Sequence, residues 1–401
     1  MKNAYIVDGI RTAVGKFGGS LSQVRPDDLG AIVIKELVKR NPSFDQTQID
    51  DVIFGCANQA GEDNRDVARM SLLLAGLPVN VPGETINRLC SSGMASIANA
   101  SRAIKSNEGD IYIAGGVESM TRAPYVLSKS GQAFGRDAQI FDTSIGWRFV
   151  NPLMHSQFGT DSMGETAENV ALQFNISRED QDKFALNSQT KATKALNNKR
   201  FEREIVTVEI PQRKGEPIKF NTDEFIRQDT TLEALNSLRP AFKKDGTVTA
   251  GNASGINDGA AATLLVSDEA LTKYQLTPKV KIISSAAVGV EPRIMGIGPV
   301  EAARKALKRA NLTWNDIDII ELNEAFAAQA LACTREWGFD DADPRINPNG
   351  GAIAIGHPLG MSGTRIVLTA MHELIEQDKE FALCTMCVGV GQGYATIIQR
   401  V

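Results

Sequence analysis

The sequence predicts an α/β protein made of two copies of one unit, with a long segment inserted into the first copy. Runs rich in Val and Ile alternate with amphipathic stretches toward both ends of the chain, the pattern of mainly parallel, mixed sheets covered by helices. Leu37 answers Leu307, Ile49 answers Ile317, Met94 answers Met361 and Ile113 answers Leu383, at spacings of 267–270 residues, the mark of an internal duplication. The spacing then collapses. Thr263 in AATLLVS answers Thr396 in YATIIQR only 133 residues later, so the first copy carries about 137 extra residues.

The elements follow in order. MKNAYIVDGIRT enters directly on a strand-like run, without the basic, apolar and small-residue succession of a signal peptide. Asp27 to Arg40 and Pro299 to Ala310 have the apolar spacing of helices with one buried face. The insertion, from about Met120 to Ala250, contains MTRAPYV, GWRFVNPLMHSQFG and PQRKGEPIKF. It shows no regular strand or helix rhythm and reads as a loop domain. The expected division is residues 1–120 with 251–270 as the first half, 121–250 as the insertion and 271–401 as the second half.

Composition narrows the class. At 401 residues the chain exceeds one ordinary core, and 42% hydrophobic with 23% charged residues is ordinary for a soluble protein. No apolar run has membrane-spanning length, and a net charge of −5 gives no electrostatic case for nucleic acid. Five cysteines without a secretory signal fit reduced thiols in a cytoplasm.

Candidate chemistry starts at INRLCSSGMASIANA, where Cys90 precedes a small-residue helix start. The positive end of a helix stabilises an anion, which predicts a thiol shifted toward thiolate. A small buried hydrophobe is the alternative. Of three histidines, His372 falls in a helical run and reads as a surface or flanking residue, and His155 in the insertion has no recognisable partner. His357 differs: it lies in the glycine-rich NPNGGAIAIGHPLGMSG and answers Cys90 across the repeat, so it is the candidate base for that thiol.

Asn323 in ELNEAFAAQ follows the apolar run IDII at a strand end, with a helix cap as the alternative reading. In CTMCVGVGQG, Cys384 and Cys387 stand three apart, so on a strand they face opposite sides. That disfavours a redox dithiol and leaves Cys387 at the strand end. No second CxxC accompanies them, so no metal site is expected. TAGNASGINDGAA is a turn-rich loop against which an extended ligand could lie.

Four ordered motifs, NRLCSSGM, NEAFA, GGAIAIGHPLGMSG and CVGVGQG, together with the duplication, resemble the thiolase family over essentially the whole chain. The resemblance implies two thiolase halves, an inserted loop domain that helps hold coenzyme A, and a homodimer or homotetramer. It implies Cys90 as the acyl-carrying nucleophile, His357 as its base and Cys387 as the second acid–base group. One oxyanion hole would be a water held by Asn323 and His357, the other the N–H groups of Cys90 and Gly389. Coenzyme A enters as co-substrate, with Arg227 near its nucleotide end and Ser254 beside the pantetheine, and no cofactor is held permanently.

Acetoacetyl-CoA thiolases typically carry a His where Ser162 precedes Met163 here. GCANQAGEDNRDVARMSLLLAGLP, DTSIGWRFVNPLM and CTMCVGVGQG look instead like the subgroup acting on 3-oxoadipyl-CoA in the breakdown of aromatic compounds. Such a substrate ends in a carboxylate, whose desolvation needs a cation or several donors. Arg148 in GWRFVNP is the candidate, a salt bridge inside the insertion the alternative. A ketoacyl synthase would be expected to have a His at the position of Cys387, and an acetyl-CoA acetyltransferase or general 3-ketoacyl-CoA thiolase is the closer rival.

Overall fold

The computed structural model describes residues 2–401. In the first half, β1 (Ala4–Thr12), α1 (Pro26–Arg40), β2 (Asp51–Gly55), α2 (Val67–Leu74), β3 (Gly83–Ile86), α3 (Ser92–Lys105) and β4 (Ile111–Ser119) precede the insertion. The insertion holds α4 (Pro152–Phe158), α5 (Met163–Gln173) and α6 (Arg178–Asn197), together with two small hairpins. It is therefore more regular than expected. Ser162 and Ser177 cap α5 and α6, their hydroxyls accepting Glu165 and Asp180 N–H, while Val170, Ala171, Phe184 and Ala185 pack these helices onto a core.

After the insertion come β5 (Asn257–Ser267), β6 (Val280–Gly289), α7 (Gly298–Ala310), β7 (Ile319–Leu322), α8 (Ala327–Glu336), α9 (Leu359–Glu376), β8 (Phe381–Val388) and β9 (Gln392–Arg400). The strands run β7-β8-β9-β6-β1-β5-β4-β2-β3, and Ile346 bridges the outer side of Ile320. Read inward from either end, the order is the same. The halves meet where β1 and β6 pair at Tyr5 with Lys281 and Ile6 with Val280.

The sheet is mixed, but the balance is not mainly parallel. Parallel ladders lie at the flanks, β2 with β3 and β4 and β7 with β8, whereas the five central pairings are antiparallel. The reason is local in β8 and β9: a tight turn at Val390 and Gly391, both at positive φ, folds one back on the other. A short turn can join only antiparallel strands.

Helices α3 and α9 form a central layer, with Met94, Ile97 and Ile104 of one and Ile366, Met371 and Leu374 of the other in a single core. Helices buried on nearly every side must approach their neighbours closely, and small residues permit it. Gly93, Gly360 and Gly363 lie at the crossing: a β-carbon on Gly93 would stand 2.5 Å from the Gly360 carbonyl oxygen, and one on Gly363 would run into Met94.

Candidate active site

The crossing brings together the helices that follow two of the candidate residues. Cys90 stands three residues before Gly93, and His357 three residues before its counterpart Gly360. Each residue stands at the corresponding position of its repeat, just ahead of its helix, and the two helices meet at these glycines. Cys90 lies in a buried 3-10 turn, Leu89–Ser91, with Leu89 in the left-handed region at φ 46°. The N–H groups of Gly389, in the turn after β8, and of Cys90 itself favour the anion of the Cys90 thiol.

These donors pull the thiol's pKa down, but burial outweighs them and pushes it up to about 11. The expected resting thiolate is thus corrected: loss of water costs the anion more than a helix end returns. Cys387 lies near Cys90, and burial together with that neighbour pushes its thiol up as well. Cys384 faces the other way, its thiol directed to the Ile366 carbonyl, whereas Cys387 packs with Met295, Phe326 and Met163. All five cysteines are free.

His357 has a defined tautomer. The Ser362 hydroxyl donates to the Pro358 carbonyl at 2.8 Å, so its oxygen accepts Nδ1–H of His357 at 2.6 Å. Nε2 then carries the lone pair, and the Asn323 side-chain amide lies 3.4 Å from it. Burial, with Arg365 adding to it, lowers the imidazole's pKa to about 3. The ring is neutral, and its Nε2 lone pair accepts from the Asn323 amide. The His357 N–H donates to Asn257 Oδ1 at 2.9 Å, and Asn257 in turn donates to the Gly15 carbonyl.

Asn323 does not cap a helix, since Phe326 is the N-cap of α8. Its backbone N–H is tied to Thr385 of β8 at 3.0 Å, and its buried Oδ1 has no protein partner. Ser254 lies beside this segment, donating its N–H to the Ala325 carbonyl, while Ala253 bridges Phe326.

Residues 4–269 match the family described as "Thiolase, N-terminal domain" and residues 276–400 "Thiolase, C-terminal domain". The chain belongs to the thiolase family. A "Beta-ketoadipyl-CoA thiolase" of Acinetobacter baylyi is 61% identical over 401 residues, and a "3-oxoadipyl-CoA/3-oxo-5,6-dehydrosuberyl-CoA thiolase" of Escherichia coli K12 is 59% identical over 401. Both alignments cover all of each chain. The crystal structure of the Bacillus anthracis acetyl-CoA acetyltransferase superposes with TM-score 0.93 at 40% identity, covering 100% of this chain and 99% of the other.

In this thiolase Cys90, Cys387 and Gly389 lie together, Asn323 lies against His357, and Ser254 lies beside the Asn323 segment. Arg227 does not join them: it is exposed in the insertion, its guanidinium over the Phe225 ring and its N–H on Gln189. Arg148 is half-buried, and among the described residues it has no ion pair, so the alternative of an internal salt bridge is not what is found. Ser162, at the position that discriminates acetoacetyl-CoA thiolases, spends its hydroxyl on the α5 cap.

One histidine expectation is overturned. His372 is buried rather than superficial, because α9 lies in the central layer, and burial lowers its pKa to about 4. His155 is exposed in the insertion, its Nδ1 2.8 Å from the neighbouring Thr160 hydroxyl and away from the other candidate residues' partners. Ser362 and Asn257, which aim and hold the thiolase's imidazole, went unrecognised in the sequence. Asn257 stood inside the turn-rich loop already singled out, whereas nothing in the pattern marks Ser362 as a ring partner.

Proposed function

We propose that this thiolase cleaves 3-oxoadipyl-CoA with coenzyme A to succinyl-CoA and acetyl-CoA. The full-length relatives at 61% and 59% identity bearing that substrate in their names carry the reading, and the site chemistry accords with it.

His357 Nε2 takes the Cys90 proton as the sulfur attacks the 3-oxo carbon. The bond between C2 and C3 breaks, its electron pair passes to the acetyl-CoA enolate, and Cys387 protonates that carbanion. A succinyl group remains on Cys90. The Cys387 thiolate then takes the proton of coenzyme A, whose sulfur attacks the acyl carbon, and the His357 imidazolium returns its proton to the departing Cys90 sulfur. Two acid–base groups are needed because the proton movements at the carbanion and at the incoming thiol are opposite. Asn323 with His357, and the N–H groups of Cys90 and Gly389, serve the two oxyanions.

The two halves supply these groups, and the insertion at 121–250 contributes Arg227 toward the nucleotide end of coenzyme A. Ser254 lies beside the pantetheine, and Arg148 receives the terminal carboxylate. The enzyme acts in the cytoplasm as a homodimer or homotetramer. Exposed Leu127, Phe134 and Ile140 of the insertion support the assembly, and no described helix is long and apolar enough to cross a membrane.

The purified protein assayed side by side with 3-oxoadipyl-CoA, acetoacetyl-CoA and a medium-chain 3-oxoacyl-CoA tests the substrate, with the highest kcat/KM expected on the first. Intact-mass and peptide analysis should place a succinyl adduct on Cys90. Preference for acetoacetyl-CoA would move the assignment to an acetyl-CoA acetyltransferase, and an adduct elsewhere would end the mechanism.

A further inference from the structure

Glu118, near the end of β4, is a buried carboxylate that the reaction does not use directly. Its Oε2 accepts Gly360 N–H at 2.8 Å and Ala57 N–H at 3.0 Å, and its Oε1 accepts Asn58 N–H at 3.1 Å. Gly360 is in the first turn of the His357 helix, whose N-cap, Pro358, offers no side-chain acceptor. Glu118 therefore caps that helix from the other half of the molecule.

The connection continues. Asn87 Nδ2 donates to the Ala57 carbonyl at 3.0 Å, and its Oδ1 accepts Leu89 N–H at 2.8 Å. Leu89 is the left-handed residue immediately before Cys90. We infer that Glu118 is a positioning residue which, through Ala57 and Asn87, sets the Cys90 turn of one half against the His357 helix of the other.

The duplication separates this role from a requirement of the fold. At the repeat spacing of 270 residues, the counterpart of Glu118 is Val388. The helix start it faces, that of α3, likewise has no side-chain cap. One copy of the unit thus folds without the carboxylate. Keeping a buried charge in the other costs free energy unless it is well bonded, and the bonds it makes run between the catalytic segments.

The groups facing Glu118 are Cys56 and Asp63 of the loop after β2 and Cys90. Burial raises its pKa to about 7, against the three N–H donors. Its negative charge also holds the Cys90 thiol up.

The inference rests on the thiolase reading, and its test keeps the two apart. Glu118→Gln and Asn87→Ala should each lower kcat by about tenfold to a hundredfold with KM little changed, as expected of misplaced reacting groups. The double variant should be no slower than the slower single, because one bridge is broken either way. In Glu118→Gln the pH midpoint for iodoacetamide labelling of Cys90 should fall. If that variant does not fold, Glu118→Asp, which keeps the charge but shortens the reach, should lose kcat without moving the midpoint. Losses that multiply in the double variant, or an unchanged kcat, overturn the bridge. An unlabelled Cys90 in the unsubstituted protein would instead overturn the thiolase mechanism.

Discussion

Gly93 and Gly360, equivalent residues of the two repeats, meet where α3 crosses α9, and there is no room for a β-carbon between them. Gly93→Ala would place a methyl 2.5 Å from both the Gly360 carbonyl oxygen and Thr364 Oγ1. Overpacking a buried crossing costs about 1–3 kcal/mol or more. We expect a lower melting temperature together with a loss of kcat, since the same crossing joins the helices that follow Cys90 and His357. A stable Gly93→Ala enzyme with full activity would show that the crossing tolerates more spread than its geometry implies.

Ser362→Ala removes the acceptor of His357 Nδ1–H and leaves the ring free to rotate or change tautomer. A lost hydrogen bond of this kind is worth about 1–3 kcal/mol, so kcat should fall by roughly tenfold to a hundredfold with little change in KM. Asn323→Ala, which removes a group proposed to stabilise charge on oxygen, should cost about 3 kcal/mol or more of barrier. Steady-state kinetics on the two variants check both expectations, and a change confined to KM would contradict the role given to either residue.

Arg148→Ala should damage turnover of 3-oxoadipyl-CoA far more than that of acetoacetyl-CoA, because only the first carries a terminal carboxylate to be desolvated. The measurement is kcat/KM on both substrates. Equal losses would assign Arg148 to the fold of the insertion instead of the acyl pocket.

His372 makes stability depend on acid. Its folded pKa, about 4, lies below the ordinary 6.5, so its contribution is present above pH 6.5 and is lost as pH falls toward 4, where the unfolded chain binds the proton first. The shift corresponds to roughly 3 kcal/mol. Glu118 and Glu321, raised to about 7 and about 8 by burial, act in the opposite sense, their contribution fading as pH rises from 4.5 through 8. Comparing the native protein with His372→Asn by urea unfolding isolates the histidine: the gap between them should narrow between pH 6.5 and 4. A gap independent of pH would mean His372 is not held neutral.

Much of this molecule is legible from residue order alone. The duplication, the helices at 27–40 and 299–310, the inserted segment and the equivalence of Cys90 and His357 across the repeat all follow from local pattern and repeat spacing, because apolar periodicity and internal similarity are properties of the chain itself. Asn323 and Cys387 could be placed at strand ends for the same reason. The state of the Cys90 thiol, the burial of His372, the ring partner Ser362 and the bridge through Glu118 could not. Each depends on how much water packing excludes, or on groups more than two hundred residues apart in the case of Glu118 and Gly360. Electrostatic cost and hydrogen-bond geometry are settled only when α3 and α9 close on each other, and no local rule encodes that contact.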